Sequence, residues 1–291
     1  MLNFGSVPFV WSVMRQCRDI PFVWHFKEGP HLALRQGNFE KLMWLYHNAS
    51  GRIFLNEPVK RWFSQFLPPS SAPTLCMDGD LPKKDIFKDC FSPKLSDTDG
   101  CIHTVVTGRM IGISGSQLAW LAKHDIHVHL YTENYFDDRE RENISRYRIA
   151  PHHFHVHPHV ASDRWTEELS KYDAGWLHCA KSYNNGNMLH TTWDDFNIPA
   201  RVCTYAAAGL PVIIPRNKGH VLAVNEVVGA AGAALFYDDY DELLASLKDE
   251  ITHRTLTANM LANRMRFSFD YHVNELINLF INAIDYKACG K

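Results

Sequence analysis

The stretch "PHHFHVHPH", Pro151 to His159, holds five histidines in nine residues: His152, His153, His155, His157 and His159. Imidazoles at that density could ligate a metal, relay protons or change charge near neutral pH. Four of them alternate, so an extended strand would present His153, His155, His157 and His159 on one face. A zinc site needs three or four ligands converging tetrahedrally on one ion. Same-face neighbours along a strand are about 6.5–7 Å apart. Two neighbours could share an ion, but four could not. The run therefore predicts a strand with packed or hydrogen-bonded histidines, with a metal-binding protein built on it as the alternative.

A second chemical signal closes the stretch "CIHTVVTGRM" (Cys101–Met110), a strand that ends in Gly108-Arg109. Glycine lets a ligand approach the backbone, and arginine pairs with phosphate. A third lies in "PARVCTYAAAGLPVIIP", a helix with proline at its start and glycine at its end, followed by a buried strand. Its opening N–H groups, with Arg201 nearby, suit an anion. On the N-terminal side, "WHFKEGPH" places His25, Lys27 and Glu28 just after a strand.

The elements that must position these groups alternate. "IPFVWHF" (Ile20–Phe26) reads as a buried strand, "LALRQGNFEKLMWLYHNAS" as a helix, "GRIFLN" (Gly51–Asn56) as a strand and "EPVKRWFSQFL" as a helix. The chain opens in apolar, strand-like sequence. Residues 68–100 are dense in Pro, Ser, Asp and Lys and read as a linker. A second series follows, with strands at Cys101–Met110, Ile126–Thr132, the histidine run, Ala174–Ala180, "PVIIP" and "AAGAALFY". Helices lie between them, including a polar one, "NYFDDRERENISRYRI", in which Glu142 precedes Arg146 by four residues. The fold class is α/β, with a Rossmann-like parallel sheet. Ligands of such sheets bind at the carboxyl ends of the strands, where Gly108 and Arg109 fall.

Composition excludes several classes. At 291 residues, with 46% hydrophobic and 21% charged residues, the chain can bury a substantial core. A formal net charge of -2 gives no broad attraction to nucleic acid or anionic membrane. Seven scattered cysteines without a CxxC pair argue against a disulfide framework and for a reducing compartment. No apolar run is long enough to span a bilayer, and the N-terminus lacks a signal-peptide pattern. The expected location is cytoplasmic, with peripheral attachment at the inner membrane face as the alternative.

The segment "YDAGWLHCAKSYNNGNMLHTTWDDFNIPARVCTYAAAGLPVIIP" resembles the nucleotide-sugar-binding half of GT-B glycosyltransferases, of the family 4 or "group 1" type. Pro199, Arg201, Tyr205, Ala208, Gly209 and Pro211 stand at matching places, and "VVTGRM" is similar to the first strand of that half. The resemblance covers Asp99 to about Asp249. It implies a complete donor-binding domain over 101–267 and a partial acceptor-side α/β domain over 1–67. Between them lies the linker 68–100, and a C-terminal helix over 268–291 packs back on the N-terminal part. It further implies transfer of a sugar from a nucleotide-diphosphate donor to an unknown acceptor, without a cofactor. A partner chain would supply the missing N-terminal half.

Gly108, Arg109, Asn197, Arg201, Thr204, Lys218 and Gly219 are then expected at the donor, and His25, Asp194 and Asp195 in catalysis. This sequence departs from the family where Thr204 replaces a glutamate, Phe196 replaces a second acid, and Ser114 replaces a basic residue. Asp194 and Asp195 stand close enough to substitute for the lost acid. A truncated, non-catalytic relative is the alternative, and an epimerase on the same fold is a third reading. The resemblance moves His157 and His159 toward the donor cleft.

Overall fold

The computed structural model describes residues 6–27, 29–65, 70–133, 145–146 and 148–289. Glu28 and most of the polar helix with Glu142 lie outside the described residues. The described strands form two parallel sheets. Strands β1 (Val23–His25), β2 (Gly51–Phe54) and β3 (Thr74–Cys76) form the smaller, in the order β1-β2-β3. Strands β4 (Ile102–Thr107), β5 (Ile126–Thr132), β6 (Phe154–Pro158), β7 (Ala174–Trp176), β8 (Val212–Pro215) and β9 (Ala234–Tyr237) form the larger. Its order is β6-β5-β4-β7-β8-β9, so the chain reverses its direction of growth between β4 and β7. This is α/β architecture of GT-B type, and that reversal opens a crevice at the carboxyl ends of the strands.

The small sheet carries an aromatic core. Trp24 and Phe54 pack with Tyr46 of the helix Phe39–Asn48 and Phe63 of the helix Glu57–Ser64. Asn56 caps the latter helix by accepting from the Val59 N–H, with Pro58 in the first turn, where its missing donor costs nothing. The opening sequence is a helix, Val7–Gln16, and not the expected strand-like start. Pro8 begins it, and Val7 is buried in the same aromatic core. Local β-preference yields there to packing.

Strand β3 lies inside the span read as a linker, and pairs Ile53 with Leu75 in the parallel register. Past it, the span stays tied to the large sheet: Ser92 N–H donates to Ser170, and Leu95 N–H to the Lys171 carbonyl. Its Pro- and Ser-rich composition reflects irregular backbone, which here runs over a surface instead of joining free bodies. The final helix, Phe269–Ala288, crosses back to the small sheet, where Leu279 joins Ile53 and Met77. Among the described residues no helix is long and apolar enough to cross a membrane.

The large sheet is buried on both faces. Val106, Val128 and Leu130 pack under the helix Gly115–Lys123, and Val105, Tyr131 and Val212 pack under the helix Arg201–Ala207. The histidine run becomes β6, in register with β5: His155 lies beside His129, and His157 beside Tyr131. Parallel alternation puts His103, His127, His129, His155 and His157 on the same face. The meetings are across strands and not along one. His127 Nδ1 lies 2.9 Å from His155 Nε2, and His129 Nδ1 2.9 Å from His157 Nε2. Burial, aided by neighbouring imidazoles, lowers the His127 pKa to about 4 and His129 to about 2.

Candidate functional site

A cleft of about 750 Å³ lies at the carboxyl ends of β4, β5 and β7. Its floor is the turn after β4. Gly108 has φ +77°, the left-handed region that glycine enters without a Cβ penalty, and its N–H donates to the Tyr131 carbonyl. That turn leaves Arg109 exposed at the cleft. Ser114, where the resemblance leads one to expect a basic residue, caps the helix Gly115–Lys123 in a reciprocal box with Gln117.

Arg201 explains why the turn holds its shape. The residue is only 8% exposed, and its Nη2 donates to the Arg109 carbonyl at 2.5 Å. Its Nη1 reaches the Trp176 carbonyl at 3.5 Å. Neither Arg109 nor Arg201 pairs with a carboxylate among the described residues. Burial first, offset by Tyr205 and Cys179, pulls the Arg201 pKa below its ordinary value. Two uncompensated guanidinium groups, one buried, face the same space, an arrangement that favours a bound anion.

One helical turn along from Arg201, Thr204 lines the cleft and is 7% exposed. The Tyr205 hydroxyl behind it shares its one proton between the Trp176 and Val105 carbonyls, at 3.0 and 3.2 Å, and accepts from the Thr107 N–H, which locks β4 to β7 at the reversal. Its ring sits so close to Gly175 that a Cβ there would lie 2.7 Å from ring carbons.

The lining brings together Gly108, Arg109, Asn197, Arg201 and Thr204 of the expected donor set. Lys218 and Gly219 stand outside it, on the exposed loop after β8. Around them that loop is tied to 180–185: Asn217 accepts from the Ser182 N–H, and Val221 N–H donates to Asn184.

The expected catalytic residues are not in the lining either. Asp195 is buried and spends its carboxylate on the Thr192 N–H and hydroxyl, capping its own short helix Trp193–Phe196. Asp194 is exposed on the same turn. Phe196, at the place where the resemblance leads one to expect a second acid, is buried in the small-sheet core. His25 ends β1 with its Nε2 buried and unpartnered among the described residues. Burial first, then nearby positive charge including Lys27, lowers its pKa to about 4.

Several lining groups carry no sequence motif. His178 follows β7, and burial first, then Arg201 and Arg109, lowers its pKa to about 4. It is a neutral imidazole beside two cations. Asp80, past the end of β3, is a carboxylate that the small sheet's side brings to the cleft, and it is paired with Lys27 at 2.5 Å. Only its position after a strand could have flagged it, and that strand was hidden in the apparent linker. His159 also lines the cleft, 3.6 Å from Glu133, whereas His157 does not.

Comparison with solved structures agrees with this architecture. The complex of MnaA from S. aureus with UDP matches with a TM-score of 0.50 at 10% identity, over 96% of this chain and 81% of that one. A UDP-N-acetylglucosamine 2-epimerase gives 0.46 at 9% identity, over 90% and 73%. The spinosyn rhamnosyltransferase SpnG complexed with thymidine diphosphate gives 0.42 at 13%, over 94% and 76%. No protein-family model and no curated protein matches the sequence. Identity this low speaks to fold alone.

Proposed function

We propose that the cleft binds a nucleotide-diphosphate sugar and that the protein is a glycosyltransferase that passes the sugar to an acceptor. One observation carries this reading. The Gly108-Arg109 turn is held by the buried Arg201 guanidinium at the reversal of a parallel sheet, and no carboxylate among the described residues answers either arginine. Positive charge fixed in advance, in a partly dry cleft, is what a leaving diphosphate needs. The cleft volume suits a small-molecule substrate of that size. Asp80, which lines the cleft and pairs with Lys27, is the carboxylate this reading assigns as base for an acceptor hydroxyl. The free thiols fit a reducing, cytoplasmic setting.

Binding without transfer is the second reading, and it is favoured by Phe196 and by the capping role of Asp195, which leave the expected acids out of the cleft. Calorimetry with UDP, TDP, GDP and their sugars tests the shared premise. Failure to bind any of them sinks both readings. Bound nucleotide with neither sugar transfer nor donor hydrolysis, followed by mass spectrometry, selects the second. A new epimer of the donor with no acceptor consumed identifies an epimerase instead.

A further inference from the structure

On the histidine face of the large sheet, His103 and His127 stand near the amino ends of β4 and β5, with His129 two residues further along β5. His103, His127 and His129 each offer one nitrogen, and these three atoms lie within 4.8 Å of one another. We propose that His103, His127 and His129 form a three-histidine site for a divalent transition-metal ion, zinc in the first instance.

The hydrogen bonds around the cluster determine which nitrogens are available. His103 Nε2 lies 3.0 and 3.2 Å from the two Asp99 carboxylate oxygens, so it carries the proton and donates. Its Nδ1 lone pair then points inward. His129 Nδ1 faces His157 Nε2, and His127 Nδ1 faces His155 Nε2, each at 2.9 Å. With protons on those two Nδ1 atoms, the Nε2 lone pairs of His127 and His129 are free for the ion. Three ligands thus have their other ring nitrogen held by a carboxylate or an imidazole, the outer arrangement that fixes tautomer and ring orientation at metal sites.

The protons balance without release of any to solvent. Without metal, His129 Nε2–H donates to His103 Nδ1 across 3.0 Å. In that state His157 Nε2–H donates to His129 Nδ1; on metal binding both rings change tautomer, the His129 proton moving to its Nδ1 and the His157 proton to its own Nδ1, so that His157 Nε2 becomes the acceptor. Two nitrogens 2.0–2.1 Å from a tetrahedral ion sit about 3.3 Å apart. The 3.0 Å pair therefore needs to open by only a few tenths of an ångström. Three imidazoles with a fourth position left to water suit a borderline ion and not a hard one such as magnesium. His103 and His129 are 5% and 6% exposed, and His127 is half-buried, which leaves an entry from that side.

The test uses the full chain, purified without a His-affinity tag, stripped by chelator and titrated with Co²⁺ and then Zn²⁺. One equivalent of Co²⁺ is expected to give the visible bands of a four-coordinate ion, and Zn²⁺ to bleach them. His129→Gln is expected to abolish that binding. Asp99→Asn changes an exposed residue outside the cluster, and it is expected to weaken binding by about 10–100-fold. The second variant decides the matter if the first does not fold. A wild-type chain that binds neither ion saturably overturns the proposal and leaves a metal-free hydrogen-bonded ladder. One-equivalent binding unchanged in Asp99→Asn overturns it too, and assigns the ion to other histidines.

Discussion

His178 stands in the field of two guanidinium groups that no carboxylate among the described residues answers, and this gives it a reporting role. A diphosphate bound beside Arg109 and Arg201 cancels much of their push, so the His178 pKa is expected to rise from about 4. Histidine-selective NMR, with His178→Gln to assign the signal, reads the shift; a titration unmoved by saturating UDP places the anion elsewhere. In the nucleotide-free protein, both His25 and His178 have pKa values lowered from 6.5 to about 4. Between those values the unfolded chain takes up protons that the folded chain does not. Their contribution to stability is therefore lost as pH falls through that window and is constant above it. Urea midpoints across the window test this, and His178→Gln is expected to shallow the slope. The two arginines separate by role. Arg109→Ala is expected to weaken nucleotide binding roughly 10–100-fold, the loss of a charged hydrogen bond, with stability unchanged. Arg201→Ala lowers both, since the Arg109 carbonyl loses its donor and the Trp176 carbonyl keeps only Tyr205. Lysine in its place does not restore the fork. Calorimetry and denaturant unfolding on the same variants distinguish the two patterns.

At the scale of elements, the reversal between β4 and β7 rests on Tyr205 filling the space that Gly175 leaves. Gly175→Ala forces a Cβ to within 2.7 Å of that ring, and overpacking of this kind costs about 1–3 kcal/mol. A urea midpoint unchanged by the substitution shows that the ring can move aside. The alternation of strands and helices was legible because a parallel sheet buried on both faces demands continuous apolar strands between helices. The turn after β4 was legible as well, since a glycine followed by an arginine at a strand end suits a tight turn beneath an anion. Strand β3 was not: three residues in a Pro- and Ser-rich span carry too little pattern, and with it went Asp80. The histidine cluster was missed for a different reason. It is made by register between β4, β5 and β6, and reading one run at a time cannot show which imidazoles become neighbours. The motif "IHVHLY", matched against "FHVHPH" on the next strand, is the signal that could have exposed it.

For the whole molecule, the two sheets meet through a few named bonds. Asn56 Nδ2 donates to the Phe196 carbonyl at 2.9 Å while its oxygen caps the helix Glu57–Ser64. Arg61 pairs with Glu226. Asn56→Ala removes both roles of a buried side chain and is expected to cost about 1–2 kcal/mol. Denaturant unfolding gives the magnitude, and a loss no greater than that of an exposed control such as Ser64→Ala counts against the bridge. The final helix binds the assembly in another way. Leu279 and Ala283 settle over β2 where Gly51 offers no side chain, and a Cβ there would lie 3.1 Å from that of Ala283. Residues near 51 are synthesised long before residues near 283. The nascent small lobe therefore emerges with Ile53 and Met77 not yet covered by that helix. The helix that seals them is made only much later in translation.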